Sequence, residues 1–93
     1  MFKLKNWAVI STTNSKKRLT GLIYGHPRIK DGSEIVTTSI IDVNGRQIST
    51  SSGSCYLLDG DPESNYFLWM KQNGYVYDKI NPIKIVDLND LKN

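Results

Sequence analysis

This 93-residue chain has one cysteine, one histidine and no long hydrophobic run. A single cysteine excludes an intramolecular disulfide bond, which is typical of proteins in a reducing compartment. One histidine and one cysteine cannot build a tetrahedral zinc site, and no spacing resembles a ligand motif, so we expect neither metal nor cofactor. The apolar run of residues 7–10 is too short for a signal peptide, and nothing approaches the roughly 20 apolar residues of a membrane helix. We therefore expect a soluble cytoplasmic protein without a membrane segment.

Acidic residues are also absent from the first thirty positions, where seven of the twelve basic residues lie. All nine acidic residues occur from Asp31 onward. Charge of one sign at one end of a small fold favours an anionic partner, such as an acidic protein surface, a nucleotide or a nucleic acid. The seven basic residues are Lys3, Lys5, Lys16, Lys17, Arg18, Arg28 and Lys30.

The length and composition indicate one folded domain over residues 1–93, because 39% hydrophobic and 23% charged residues argue against disorder. Short runs rich in β-branched and aromatic residues predict strands over residues 6–12, 19–24, 34–43, 47–51 and 54–58. The Asn44-Gly45 dipeptide predicts a type I′ hairpin turn, which needs positive φ at both central residues. That loop gives a register in which Val43 faces Arg46, Ile41 faces Ile48 and Ser39 faces Thr50.

One helix is predicted near residues 62–73, with Asp61 as its N-cap, Pro62 in its first turn and Gly74 as its stop. Residues 75–79 and 83–88 are predicted as two closing strands. The fold class is therefore α+β: a small β-rich barrel or curled antiparallel sheet of about six or seven strands with one helix. The expected core residues are Trp7, Leu22, Ile35, Ile41, Ile48, Tyr56, Phe67 and Trp69. Four large apolar residues in a row, 67–70, exceed one helix face, so we expect Leu68 to point away from the sheet.

The loop of residues 25–32 carries His26, Arg28 and Lys30 and precedes a hairpin rich in serine and threonine. Arginine binds phosphate through paired hydrogen bonds and hydroxyls add shorter ones, so one hypothesis is a phosphate site here. Hydroxyls on the wet face of a two-stranded ribbon are the ordinary alternative. Basic residues near an aromatic ring also fit contact with nucleic acid. The candidate ligand- or partner-binding residues are Lys16, Lys17, Arg18, Tyr24, His26, Arg28, Lys30, Ser51 and Ser52.

The sequence offers few residues that could carry out catalysis. Cys55 and His26 could form a thiolate pair, but Cys55 lies in an apolar strand, where cysteine is usually a small buried hydrophobe. No other activated nucleophile, acid–base pair or metal set can be assembled, so we expect a protein that is not an enzyme.

The run LTGLIYGHPRIKDGSEIVTTSI, followed by STSSGSCYLL, has a core of Gly-His-Pro-Arg, then Asp-Gly, then a Thr-Ser strand. In this pattern, over roughly residues 20–58, the chain resembles small uncharacterised bacterial and phage proteins. The resemblance implies a phage or mobile-element setting, in which small non-enzymatic chains often inhibit host defence. It implies no activity and no catalytic residues.

Three functions follow as hypotheses. The leading one is a small binding or inhibitor protein that covers a surface of a protein or nucleoprotein partner. The first alternative is an oligomer that sequesters a phosphorylated small molecule such as a signalling nucleotide. The second is a nucleic-acid-binding β-barrel.

Overall fold

Five strands close into a barrel in the computed structural model of the chain, which describes residues 1–11 and 16–83. The strands are β1 (Phe2–Ser11), β2 (Lys17–Tyr24), β3 (Ser33–Asn44), β4 (Gln47–Thr50) and β5 (Cys55–Leu58). Each pairs antiparallel with the next, and β5 closes the barrel by pairing parallel with β1. The predicted small β-rich barrel with one helix is confirmed, but its described part has five strands rather than six or seven.

The missing strand is the one predicted over residues 75–79, and that prediction is wrong. Tyr75 donates its backbone N–H to the Met70 carbonyl at the end of the helix, at 2.9 Å, instead of entering a sheet. The side chains of Tyr75 and Tyr77 are half-buried and pack on the core, so the alternating pattern reflects side-chain burial rather than strand pairing. The other predicted closing strand, residues 83–88, lies outside the described residues except for Ile83, which is buried.

Apolar side chains fill the barrel. Inward positions alternate along β2, as the period of two in a strand requires. Of the predicted core, Trp7, Ile48 and Tyr56 are buried, whereas Ile41 and Phe67 are exposed. The others, Leu22, Ile35 and Trp69, are half-buried. The fully buried side chains include Leu4, Trp7, Val9, Leu19, Ile23, Ile48, Leu58 and Met70.

Gly21 lets β2 cross β1 closely. A β-carbon there would lie 3.0 Å from the Lys5 carbonyl oxygen and 3.3 Å from the Trp7 α-carbon, which is tighter than most β-carbon contacts in proteins. On the facing strand the pairing slips between Lys5 and Ala8, and Asn6 adopts a φ of 52°. This β-bulge turns β1 around the barrel, and an added side chain at Gly21 would disturb it.

The hairpin between β3 and β4 turns at Gly45 and Arg46, so the predicted loop is displaced by one residue. Gly45 has a φ of 60° and neither Asn44 nor Arg46 has positive φ, which fits a type II′ turn rather than type I′. The predicted register is therefore wrong. The pairs observed next to the turn are Asn44 with Gln47 and Val43 with Ile48.

A second irregularity follows in β3. Ile40 pairs with Thr50 and Asp42 pairs with Ser49, so Ile41 is an extra residue on the β3 side. Such a bulge residue has no partner opposite it. This explains why Ile41 is 66% exposed, although its hydrophobicity predicted a place in the core.

The helix α1 (Ser64–Gln72) begins later than predicted. Its N-cap is Glu63, not Asp61: the Glu63 carboxylate accepts the backbone N–H groups of Asn65, at 3.0 Å, and Tyr66, at 3.1 Å. Glu63 also donates its own N–H to the Trp7 carbonyl at 2.7 Å, which ties the start of the helix to β1.

The end of α1 follows the prediction. Asn73 is the C-cap and Gly74 follows with a φ of 81°, the left-handed conformation that ends many helices. The buried residues of α1 are Tyr66 and Met70, and Leu68 is 52% exposed, which confirms that it points away from the barrel. Within the part of the chain that is described, no helix is long and apolar enough to cross a membrane.

Candidate functional site

The loop of residues 25–32 joins β2 to β3 and is closed by its own hydrogen bonds. Gly25 donates its N–H to the Asp31 carboxylate at 2.9 Å. Gly32 donates its N–H to the Ile23 carbonyl at 2.7 Å. These two bonds fix both ends of the loop and hold its exposed residues in one arrangement.

His26 shapes the middle of this loop. Its Nδ1 accepts the backbone N–H groups of Arg28, at 3.0 Å, and Ile29, at 3.1 Å. The ring also packs against Phe2, with centroids 4.7 Å apart. The structure thus gives His26 a structural part in the loop, while Arg28 and Lys30 project into solvent.

Two lysines of β1 join the loop through Tyr24, the last residue of β2. Lys3 pairs with Tyr24 in the β1–β2 register, and the Lys5 Nζ lies 5.2 Å from the centre of the Tyr24 ring. A β-carbon at Gly32 would lie 3.5 Å from the Tyr24 hydroxyl, so this ring reaches the end of the loop. We name this group the basic corner, and it consists of Lys3, Lys5, Tyr24, Arg28 and Lys30.

Acidic groups also lie beside the basic corner. Lys5 forms an exposed ion pair with Asp59 at 3.9 Å, which contributes little to stability. Asp31 lies in the loop itself, and Glu34 pairs with Leu22, the residue that faces Lys5. The positive region is therefore local: it covers Lys3 and the loop rather than the whole barrel face.

The other predicted basic residues lie at the opposite end of β2. Lys17 points into the barrel, is 9% exposed and donates to the Ser11 hydroxyl at 3.4 Å. Arg18 is half-buried, and its Nε has no hydrogen-bond partner among the described residues. At about 3.3 Å per residue, Arg18 is roughly 20 Å from Tyr24 along the strand. Lys16, Lys17 and Arg18 therefore stand apart from the basic corner.

The hydroxyl-rich turn between β4 and β5 meets the Arg18 end of β2. Ser51 donates its N–H to the Ser39 carbonyl at 2.8 Å, and Ser39 is the register partner of Arg18. Ser52 donates its N–H to the Thr38 hydroxyl at 3.1 Å. The hydrogen bonds of Ser51 and Ser52 thus attach the turn to β3 beside Arg18, rather than to the loop of His26.

The pair considered for catalysis is divided between two surroundings. Cys55 is a free, half-buried thiol on β5, where it pairs with Ser49. The Nδ1 of His26 is engaged with its own loop. Among the residues that the structure describes, no group of three acidic, histidine or cysteine residues could hold a metal ion.

The sequence alone did not identify Arg46 as the centre of a hydrogen-bond network. The guanidinium donates to the carbonyls of Gly60 and Lys79 and to the Tyr77 hydroxyl, while Nε donates to the Leu58 carbonyl. Burial raises the pKa of the Tyr77 phenol; the positive charge of Arg46 offsets part of the increase, and the Asp61 carboxylate adds to it. The acceptors are distant in sequence, so no local pattern could have identified them.

Comparison with known proteins identified no relative of this chain. No family model matches the chain, and neither a curated protein nor a solved structure matches it.

Proposed function

We propose that this protein is a non-enzymatic binding protein that covers an anionic surface of a protein or nucleoprotein partner. The basic corner is the contact surface, and the partner is blocked because the barrel lies over its functional surface. The observation that carries the proposal is that Lys3 and Lys5 lie beside Tyr24, next to a loop that exposes Arg28 and Lys30. Of these four cationic side chains, only Lys5 forms an ion pair among the described residues.

The packing of the barrel supports surface contact rather than enclosure of a ligand within the barrel. Leu4, Trp7, Ile23 and Ile48 fill the interior and are almost fully buried. A five-stranded barrel filled by its own side chains binds through its outer face and its loops. The exposed charges of the basic corner lie on such a loop and on the adjoining strands.

The fixed shape of the loop supports specific binding. A loop that is already closed by hydrogen bonds from Gly25 and to His26 loses little conformational entropy when a partner binds. Arg28 can form paired hydrogen bonds with a carboxylate or phosphate, whereas Lys30 acts as a point charge. Charges on such a rim act mainly on the association rate and on the salt dependence of binding.

Affinity capture tests the proposal. The wild-type protein and two charge-reversed variants are immobilised and exposed to lysate of the cells in which the protein acts, with and without nuclease. We expect a partner that wild type and the control K71E/K79E retain and that R28E/K30E loses. Both control lysines are exposed, and neither belongs to the basic corner.

The nuclease arm separates the classes of partner. A protein or nucleoprotein partner whose surface is covered remains bound, at least in part, after nuclease treatment. Loss of all capture after nuclease favours the nucleic-acid-binding hypothesis instead. Equal capture by both charge-reversed variants contradicts the proposed contact surface.

A further inference from the structure

An open cleft lies beside the turn between β3 and β4, between α1 and the segment of residues 75–80. Its volume is about 370 Å³. Binding sites for small molecules span roughly 300–1,000 Å³, so the cleft accommodates a ligand of modest size. Its lining residues are Asp61, Pro62, Phe67, Tyr77 and Lys79.

The Tyr77 side of the cleft is held firmly by Arg46. Both terminal nitrogens of this guanidinium donate to the Tyr77 hydroxyl at 3.3 Å, and one of them also donates to the Lys79 carbonyl at 2.6 Å. The Tyr77 hydroxyl in turn lies 3.4 Å from the Gly60 carbonyl, which accepts its proton. Because the phenol oxygen is already satisfied, Tyr77 offers its ring rather than its hydroxyl to a ligand.

One side of the cleft is aromatic, because the Tyr77 ring contacts the Phe67 ring of α1. The Phe67 ring stands at 89° to the Tyr77 ring, with centroids 6.0 Å apart, which is a favourable edge-to-face contact. Phe67 is nevertheless 43% exposed, and Pro62 beside it is buried. The exposed part of the Phe67 ring is therefore open to a ligand where the cleft meets solvent.

Two opposite charges line the same cleft without neutralising each other. Asp61 and Lys79 are both exposed, and no ion pair joins them in the described part of the chain. A purely cationic ligand would meet the repulsion of Lys79, and a purely anionic one would meet that of Asp61. A ligand that carries both charges satisfies both side chains, and this complementarity sets the chemistry of the occupant.

We propose that the cleft binds a small zwitterion with an apolar body, such as an aromatic or aliphatic amino acid. Its ammonium group pairs with Asp61, its carboxylate pairs with Lys79, and its apolar body packs on Phe67 and Tyr77. The site shares no residue with the basic corner and does not depend on the proposed function.

A titration followed by amide NMR tests this proposal with three matched probes. Phenylalanine carries both charges, phenylalanine amide lacks the carboxylate, and 3-phenylpropionate lacks the ammonium. We expect phenylalanine to cause saturable shifts at the amides of Asp61, Phe67, Tyr77 and Lys79, with a Kd of about 1 mM. Each probe that lacks one charge binds about fourfold more weakly, the effect of one exposed ion pair. Leucine in place of phenylalanine tests the aliphatic body.

Variants assign each contact. D61N removes the advantage of phenylalanine over 3-phenylpropionate, and K79Q removes its advantage over phenylalanine amide. F67A weakens all three probes, whereas L68A, on the exposed side of the same helix, changes none of them. The proposal is overturned if neither phenylalanine nor leucine gives saturable shifts at the cleft, or if the three phenyl probes bind equally.

Discussion

Arg46 allows the sharpest test of how this fold is held together. Arg46→Ala removes one side chain that joins the β3–β4 turn, the end of β5 and the segment of residues 75–80. Its hydrogen bonds run to the carbonyls of Leu58 at 2.9 Å, Gly60 at 2.5 Å and Lys79 at 2.6 Å, and to the Tyr77 hydroxyl at 3.3 Å. No carboxylate faces the guanidinium in these bonds, so the loss is one of hydrogen bonds rather than of an ion pair.

The magnitude follows from the surroundings of these bonds. A hydrogen bond from a charged donor contributes about 1.5–3 kcal/mol, and less where water replaces the lost partner. The bonds to Gly60 and Lys79 are exposed, whereas those to Leu58 and Tyr77 are partly buried. We therefore expect Arg46→Ala to lower the free energy of unfolding by about 3 kcal/mol. Arg46→Lys keeps the charge but lacks the planar fork, and it should lose about 2 kcal/mol.

Urea denaturation and hydrogen exchange together measure this effect. Denaturation gives the global loss, with Arg28→Ala as a control that changes stability by less than about 0.5 kcal/mol, because its side chain is exposed. Exchange should accelerate first at the amides of residues 75–80, since Arg46 ties this segment to the barrel. If Arg46→Ala is as stable as Arg28→Ala and exchange of residues 75–80 is unchanged, Arg46 does not hold the segment.

Three further predictions concern the turn and the helix. Gly45→Val should lower the stability of the protein by at least about 1 kcal/mol, because φ at this position is 60° and the added β-carbon would lie 3.3 Å from the Ile80 carbonyl. A thermal melt measures this loss, and an unchanged melting temperature contradicts the turn at Gly45. Glu63→Ala should lower stability by about 1 kcal/mol through loss of the helix cap, whereas Asp61→Ala should leave stability nearly unchanged. If Asp61→Ala is the more destabilising of the two, Asp61 rather than Glu63 is the cap. The N–H of Asn65 above all, with that of Tyr66, lowers the pKa of Glu63 despite some desolvation. Its stabilisation is therefore complete above the unfolded-state value of 4.5 and is lost as the pH falls through the lower folded-state pKa. Stability curves of wild type and Glu63→Gln should converge below that range, and a constant separation contradicts this.

The sequence predicts the presence of the barrel better than it predicts the hairpin register. Strand locations and the burial of Trp7, Ile48 and Tyr56 follow from local hydrophobic patterns. The hairpin register does not, because Gly45 can be the first or the second residue of a two-residue turn. Choosing between those turns depends on the bulge at Ile41, which only the pairing of whole strands creates.

The start of the helix shows a similar limit. Asp61 and Glu63 both carry a carboxylate suited to an N-cap, and Pro62 suits a first helical turn. Glu63, the observed cap, is bonded through its backbone to the Trp7 carbonyl, and a local pattern cannot reveal a contact between residues more than fifty positions apart.

The basic corner could be predicted only in part. Arg28 and Lys30 are neighbours in sequence and were expected to act together. Lys3 and Lys5 come beside Tyr24, just before the same loop, only because β1 pairs with β2. Lys17 was expected to be available to a partner, but the alternation of β2 turns it into the barrel. The cleft combines residues from α1 and two other segments, so it could not be predicted without the three-dimensional structure.

Binding of the captured partner by charge-reversed variants, at two salt concentrations, tests the central claim most directly. R28E/K30E should weaken binding by at least about tenfold, and K71E/K79E should change it by less than about threefold. R28E/K30E should keep wild-type stability, since exposed charges contribute little to folding. K71E/K79E should lose no more than about 1 kcal/mol, because Lys71 lies in the last turn of α1. Wild-type affinity should fall as salt rises, because screening reduces attraction between exposed charges. Equal losses for the two variants, or binding that is independent of salt, would contradict the basic corner as the contact surface.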